Sequence, residues 1–154
     1  VIAGDAPDRR YADALQAQAT AQGIASRVYF IGHVGGDLKV SLLRAASLTV
    51  VPTSQENFGF VFYESLAAGT PVVTTDLVDT ADELARSGAG YIVKQSGEAI
   101  AACVGRVLAS PHELKAAGQR GRTWVFNELA TSRVAEKYEQ MFGEAIASAN
   151  GTRA

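Results

Sequence analysis

Cysteine, histidine and long apolar runs are scarce in this sequence. There is one cysteine and there are two histidines in 154 residues, which excludes an internal disulfide and argues against a cysteine–histidine zinc site. No apolar run approaches the roughly 20 residues that a membrane span requires, and the first residues lack the layout of a signal peptide. We therefore expect a reducing, cytoplasmic location and a protein that needs no metal.

A surplus of positive charge is also missing. The chain has 14 basic and 16 acidic residues, a formal charge of −2, and no run of lysine or arginine. This argues against a nucleic acid or an anionic membrane surface as partner, so a bound anion must be held locally. With 47% hydrophobic residues, the composition predicts one globular domain over 1–154. Because the chain opens at Val1 within a predicted strand, we expect a piece of a longer protein that lacks its first β-α unit.

Short apolar runs alternate with longer helical patterns, and glycine, proline, serine or aspartate stands at the junctions. This alternation predicts an α/β fold with a doubly wound parallel sheet, whose strands are covered by helices on both faces. The predicted strands are 1–3, 28–31, 48–51, 71–74 and 91–93. The helices predicted before and between them are 7–22, which ends at Gly23, and 37–46.

The C-terminal third is predicted to be helical. Cys103 falls in an apolar stripe with helical spacing, which indicates a core thiol rather than a reactive one. Ser110 and Glu113 fit a capping box at a helix start, with Pro111 in the first turn. The last predicted helix, 131–146, has a further apolar stripe that includes Tyr138, Met141 and Phe142. That stripe is either core or a surface left uncovered by an absent domain.

The segment 52–73 carries the candidate chemistry. It follows the carboxyl end of the strand 48–51, where open α/β sheets bind their ligands. A helix is predicted from near Gly59 to Gly69, because Gly69 and Pro71 stop it. The first turn of that helix leaves unpaired N–H groups, and Gly59 lets a phosphate approach them. The sequence thus predicts a local anion site.

Two carboxylates flank the helix start. Glu56 lies in the preceding loop and Glu64 about a turn and a half inside the helix, so they cannot form a side-by-side acid and base. Each can accept hydrogen bonds from hydroxyls on either side of a bound phosphate. The alternative is that Glu56 complements the helix dipole and Glu64 is an ordinary solvated helical side chain.

The whole segment resembles the donor-site motif of the retaining glycosyltransferases of family 4, which have the GT-B fold. The matching residues are Glu56-Asn57-Phe58-Gly59, then Glu64-Ser65-Leu66-Ala67-Ala68-Gly69, then Pro71-Val72-Val73. Strand and turn segments elsewhere, among them 28–32 and 89–93, resemble the family in the same order. The resemblance covers nearly the whole chain.

The resemblance implies a role for each matched residue. Glu56 is expected to be the catalytic-site residue that contacts hydroxyls of the transferred sugar, and Glu64 to bind the ribose of a nucleotide sugar. The backbone of Asn57, Phe58 and Gly59 is expected to face the sugar and its phosphate. The turn formed by Gly32, His33 and Val34 is expected beside the nucleobase. A hydrated loop histidine is the alternative for His33.

The implied function is the donor-binding half of an enzyme that transfers a hexose, with retention, from a nucleotide diphosphate sugar to an acceptor hydroxyl. Such an enzyme of glycan biosynthesis needs no metal or other cofactor, and its acceptor and any membrane contact would involve the absent N-terminal half. The family's basic pair lies upstream of Val1, so we expect the fragment alone to be inactive and to bind nucleotides weakly. Two alternatives remain: a non-catalytic nucleotide-binding or interaction domain, and a nucleotide-sugar isomerase.

One region departs from the family pattern. After the predicted strand 71–74 the family often has two glycines followed by a glutamate, whereas this chain has no glycine there. Asp82 and Glu83 are therefore not assigned to the site.

Overall fold

The computed structural model describes residues 1–6 and 8–151, and the chain divides into two compact units between Leu42 and Leu43. Within those residues, no helix is long and apolar enough to cross a membrane. The helix α2, Gly36–Ala45, begins in the first unit and ends in the second.

The first unit is mainly helical. The helix α1, Arg9–Ala21, begins after Asp8, whose side chain accepts a hydrogen bond from the Arg10 N–H at 2.9 Å. It ends before Gly23, which has φ +68°, as the sequence predicts. Pro7, where we expected this helix to begin, lies outside the described residues. A short 3-10 helix, Ala25–Arg27, follows.

The sequence predicts strands at 1–3 and 28–31 in this unit, and this prediction is wrong. The segments meet only at one parallel bridge, between Ile2 and Phe30. Both Ile2 and Ile31 keep 43% of their surface exposed, so the apolar side chains gain little from burial there. A parallel strand depends on burial by covering helices. The β-branched composition therefore predicted a strand that the surroundings do not support.

The second unit contains a parallel sheet of three strands in the order β1-β2-β3. These are β1 (Thr49–Val51), β2 (Val72–Thr75) and β3 (Gly90–Val93), each within a residue or so of its prediction. In the register, Val50 lies opposite Val73, which lies opposite Tyr91. The helices are α3 (Phe60–Ala68), α4 (Ala81–Arg86), α5 (Gly97–Leu108), α6 (Pro111–Glu128) and α7 (Thr131–Gly151).

Helices cover both faces of this sheet. Successive strand residues point to opposite sides, and Val72 and Val73 are both fully buried. Val72 packs with side chains of α3, α4 and α6, while Val73 packs with Cys103 and Val107 of α5. The predicted doubly wound parallel α/β fold is confirmed, and so is the predicted core position of the Cys103 thiol.

Helix α6 packs very closely against α3 and the turn that follows it. A Cβ at Gly118 would collide with the carbonyl oxygen of Gly69, and one at Gly121 would lie 2.8 Å from a methyl carbon of Leu66. Both glycines are buried, so side chains are excluded where the two elements meet. This contact fixes the position of α3, whose N-terminus matters for the site.

Two expectations for the C-terminal helices have different outcomes. The prediction of a capping box at Ser110 is wrong. The Ser110 side chain makes no capping hydrogen bond, and the Glu113 carboxylate pairs with Arg120 instead, at 2.5 Å. The ion pair with the next turns of α6 competes for the carboxylate. On α7, Tyr138 and Phe142 are 56% and 58% exposed, so this part of the apolar stripe is not core. Contact of that surface with another domain stays a prediction.

Candidate functional site

The candidate site lies at the carboxyl edge of the sheet, where the loops after β1 and β2 are joined. The hydroxyl of Thr75, at the end of β2, donates to the carbonyl oxygen of Thr53 at 2.7 Å. Further along, the Asp79 N–H donates to the Glu56 carbonyl oxygen at 2.9 Å. We call residues 52–59 the site loop and residues 76–80 the β2–α4 loop. Their hydrogen bonds hold the site loop against its neighbour.

Helix α3 begins where the sequence predicts. Gly59 is its N-cap residue, with φ +67° and ψ +72°, and Gly69 ends the helix with φ +86°. No side chain caps the N-terminus. The Phe62 N–H donates to the Gly59 carbonyl oxygen at 2.9 Å, and the N–H groups before it precede the first intrahelical acceptor. An uncapped helix start of this kind favours an anion.

The structure gives Gly59 a further role beside the predicted one. Its position is buried, and an added Cβ would collide with the ring of Phe62 and lie 3.0 Å from Cγ of Glu56. Since φ is also positive, an L side chain is disfavoured on two grounds. Glycine is therefore required by packing within the protein, whatever it contributes to the approach of a phosphate.

The two predicted carboxylates stand on different elements. Glu56 is half-buried in the site loop and forms a parallel bridge with Val78 of the β2–α4 loop. Glu64 is half-buried in the second turn of α3, one turn beyond the exposed Phe60 on a similar face of the helix. The placement of one in a loop and the other inside a helix agrees with the sequence analysis, and the expectation that they do not form a side-by-side acid and base stays a prediction.

Aromatic rings anchor the site loop to the helices. The ring of Phe58 stacks on Tyr63 with centroids 4.4 Å apart, and Phe60 lies 5.0 Å from Phe58. Tyr63 in turn lies 6.4 Å from Trp124 of α6. Burial raises the pKa of Tyr63, and a hydrogen bond with the Thr80 side chain partly offsets this rise. Asn57, between Glu56 and Phe58, is exposed.

A charged pair lies across the ends of β2 and β3. Lys94 Nζ lies 2.5 Å from Asp76 Oδ2, and the Asp76 N–H donates to the Val93 carbonyl oxygen at 2.9 Å. The hydrogen bond from Lys94 holds the pKa of Asp76 below its usual range, and the same bond raises the pKa of Lys94. Lys94 supplies a cation at this edge of the sheet, already engaged by a carboxylate.

The residues predicted beside the nucleobase belong to the first unit. Gly32 has φ +66°, and its carbonyl oxygen accepts from the Gly4 N–H at 2.8 Å. The His33 N–H donates to Asp5 Oδ1 at 3.0 Å, while the His33 side chain is exposed. Val34 is half-buried. The turn is locally well fixed, and its role beside a base stays a prediction.

Sequence reasoning missed the contribution of the β2–α4 loop and of Lys94. Both directly follow strands, so their positions at the carboxyl edge could have been inferred from the strand ends alone. Asp82 and Glu83, left unassigned, lie in the first turn of α4, and Glu83 lies 3.4 Å from Arg86. Over residues 1–6 and 8–151, no three histidine, cysteine or acidic side chains are grouped to hold a metal ion. Independence of metal stays a prediction.

Comparison with known proteins identifies the family. Residues 1–124 match the family model described as Glycosyl transferases group 1. The chain belongs to this family. Among curated relatives, the lipopolysaccharide core biosynthesis mannosyltransferase LpcC of Rhizobium leguminosarum bv. viciae is 30% identical over 139 residues. That alignment covers 87% of this chain and 39% of LpcC.

Solved structures place this group 1 glycosyl transferase chain in the GT-B fold, as a C-terminal domain. Sucrose-phosphate synthase from Thermosynechococcus elongatus superposes with a TM-score of 0.76 at 26% identity, covering 94% of this chain and 37% of that one. HepE of Anabaena gives a TM-score of 0.79 at 18% identity, covering 92% and 40%, which shows a shared fold. The chain spans well under half the length of the curated relatives it matches.

Proposed function

We propose that this chain is the donor-binding part of a retaining family 4 glycosyltransferase, which transfers a hexose from a nucleotide diphosphate sugar to an acceptor hydroxyl. The observation that carries the proposal is the uncapped start of α3 at Gly59, flanked by Glu56 and Glu64, at the carboxyl edge of the sheet. In a group 1 glycosyl transferase, an anion-binding helix start between two carboxylates suits a sugar diphosphate.

Each flanking group has a proposed partner. Glu56 accepts hydrogen bonds from hydroxyls of the transferred sugar, and Glu64 accepts them from the ribose. The backbone of Asn57, Phe58 and Gly59 faces the diphosphate, whose developing negative charge on departure is stabilised by the fixed N–H groups. We assign no nucleophile, because the placement of Glu56 in a loop and Glu64 inside a helix does not suggest a pair across one bond.

The relatives support the proposed substrate class. LpcC is named as a mannosyltransferase, so a 30% identical relative uses a hexose. The HepE structure is a complex with UDP, although at 18% identity that likeness supports the fold rather than the ligand. The acceptor is proposed to bind outside this chain, since the chain covers 39% of LpcC. On that basis the isolated chain is proposed to lack transferase activity.

The experiment is calorimetric titration of the complete protein with uridine, guanosine and adenosine diphosphates in turn. Glu64→Ala should weaken the binding of the preferred diphosphate by about 1.5–3 kcal/mol, the usual contribution of a hydrogen bond to a charged group. Glu56→Ala should leave that affinity nearly unchanged and reduce transfer, because its proposed partners belong to the sugar. Glu139→Ala, an exposed change on α7, is the matched control.

The results separate the alternatives. Equal losses of diphosphate affinity in the Glu56 and Glu64 variants would contradict the two assigned roles. A wild-type protein that binds none of the three diphosphates would contradict the donor site itself. An isomerase would be revealed if the nucleotide sugar were converted without acceptor-dependent release of the nucleoside diphosphate.

A further inference from the structure

Thr80 uses its side chain in an unusual way. It is the residue before α4, in the N-cap position, yet its side chain makes no capping hydrogen bond there. A threonine at an N-cap ordinarily accepts a hydrogen bond from an N–H in the first turn of its own helix. Here the Thr80 hydroxyl instead donates to the Phe58 carbonyl oxygen, at 3.2 Å. The hydroxyl therefore serves the site loop rather than α4.

This bond acts on the peptide that leads into Gly59. The Phe58 carbonyl and the Gly59 N–H belong to one planar trans peptide, so they point in opposite directions. Holding the carbonyl towards Thr80 therefore turns the Gly59 N–H away from the β2–α4 loop. On the other side of Gly59, its own carbonyl oxygen accepts from the Phe62 N–H at 2.9 Å.

Gly59 needs this support more than another residue would. A glycine has a wide choice of backbone conformations, and Gly59 occupies the left-handed region at the N-terminus of α3. Two hydrogen bonds, one from Thr80 and one from Phe62, fix the peptide planes on both sides of it. Without the Thr80 bond, only one of the two planes is held.

The Phe58 side chain is held as well. Its ring stacks on Tyr63, which is 6% exposed, with the centroids 4.4 Å apart. Phe58 is therefore fixed at its ring by Tyr63 and at its carbonyl oxygen by Thr80.

We propose that Thr80 is a positioning residue of the donor site, whose hydroxyl holds the Phe58–Gly59 peptide so that the Gly59 N–H faces the diphosphate of a bound nucleotide. This rests on the proposed function and adds a residue outside the matched motif. The effect of Thr80 is on the phosphate and not on the base or ribose, because it acts through one backbone N–H. That selectivity makes it testable.

The test compares nucleoside monophosphates with diphosphates in the complete protein, using calorimetry and the base that the wild type prefers. The ratio of the two dissociation constants measures the affinity that the second phosphate adds. Thr80→Val removes the hydroxyl at nearly constant volume and should reduce that gain roughly three- to tenfold, the worth of about one hydrogen bond. Monophosphate affinity should change less than twofold, and Thr80→Ser should restore the ratio.

Controls distinguish positioning from stability. Thr123→Val makes the same chemical change at an exposed position of α6 and should leave the ratio unchanged. If Thr80→Val leaves the ratio unchanged, for example by weakening the binding of monophosphate and diphosphate by the same factor, the inference is wrong. A wild type that binds no diphosphate would overturn the proposed function first, and this inference with it.

A measurement on the wild type removes any dependence on a variant that folds poorly. With ¹⁵N-glycine labelling, the Gly59 amide resonance should shift when diphosphate is added and shift much less with monophosphate. Equal shifts with the two ligands, or no shift with either at saturation, would show that the Gly59 N–H does not face the second phosphate.

Discussion

Replacing Gly59 with alanine tests why α3 begins where it does. Two independent costs apply. The left-handed backbone disfavours an L residue by about 1–2 kcal/mol, and Gly59 has φ +67°. The added methyl also collides with the ring of Phe62, which is fully buried and cannot swing into solvent. Overpacking of this kind costs about 1–3 kcal/mol, so the two costs together predict a loss of about 2–5 kcal/mol.

Two other glycines separate these costs. Gly69 has φ +86°, but a Cβ there would meet nothing within 4 Å, so Gly69→Ala should cost only the backbone part, about 1–2 kcal/mol. Gly105 lies inside α5 without a positive φ and with open space around it. Gly105→Ala should stabilise the protein by about 0.5–1 kcal/mol. The three changes form a matched series.

Urea denaturation measures the free energy of unfolding of each variant. The single tryptophan, Trp124, lies 6.4 Å from Tyr63 of α3, so its fluorescence reports on this packing, and circular dichroism reports on the whole chain. Equal losses for Gly59→Ala and Gly69→Ala would refute the reasoning, because they would mean that the ring of Phe62 moves aside at no cost.

Two further predictions concern single side chains. Thr70→Val should lower the free energy of unfolding by about 1–3 kcal/mol, since Thr70 is 2% exposed and its hydroxyl donates at 2.6 Å to the Leu43 carbonyl oxygen near the end of α2; an unchanged urea midpoint would contradict this. Asp76→Asn should destabilise the chain only where both Asp76 and Lys94 are charged. The lowered pKa of Asp76 means that its contribution is present above about pH 4 and is lost as the pH falls through the folded value. The raised pKa of Lys94 means that its contribution is present below about pH 10 and is lost as the pH rises through the folded value. A difference between wild type and variant that persists at pH 2, or that does not shrink in 1 M salt, would show that the pairing of these charges is not its cause.

The sequence was sufficient for the parts that depend on local signals. Helix α3 could be placed between Gly59 and Gly69 because the signals that start and stop a helix each depend on a few adjacent residues. Strands β1, β2 and β3 could be placed because continuous apolar runs between helices indicate strands covered on both faces. Glu56 and Glu64 could be assigned to a loop and a helix for the same reason.

Other features required the tertiary structure, since they depend on residues far apart in the chain. The segments 1–3 and 28–31 have strand-like composition, yet they form one bridge because little covers them. Ser110 and Glu113 have the spacing of a capping box, but Arg120 engages the glutamate. In both cases a local preference worth about 1 kcal/mol or less yields to the surroundings.

The site itself shows the same division. The sequence alone determined that a glycine stands between two carboxylates at the start of a helix, because spacing and helix-stop residues are local properties. Only the tertiary structure decided that this glycine packs against the Phe62 ring, and that the peptide before it is held by the Thr80 hydroxyl, 22 residues from the Phe58 carbonyl that it bonds. Such a contact depends on parallel strands bringing successive loops to one edge, and no local pattern in the chain encodes which hydroxyl will meet which carbonyl.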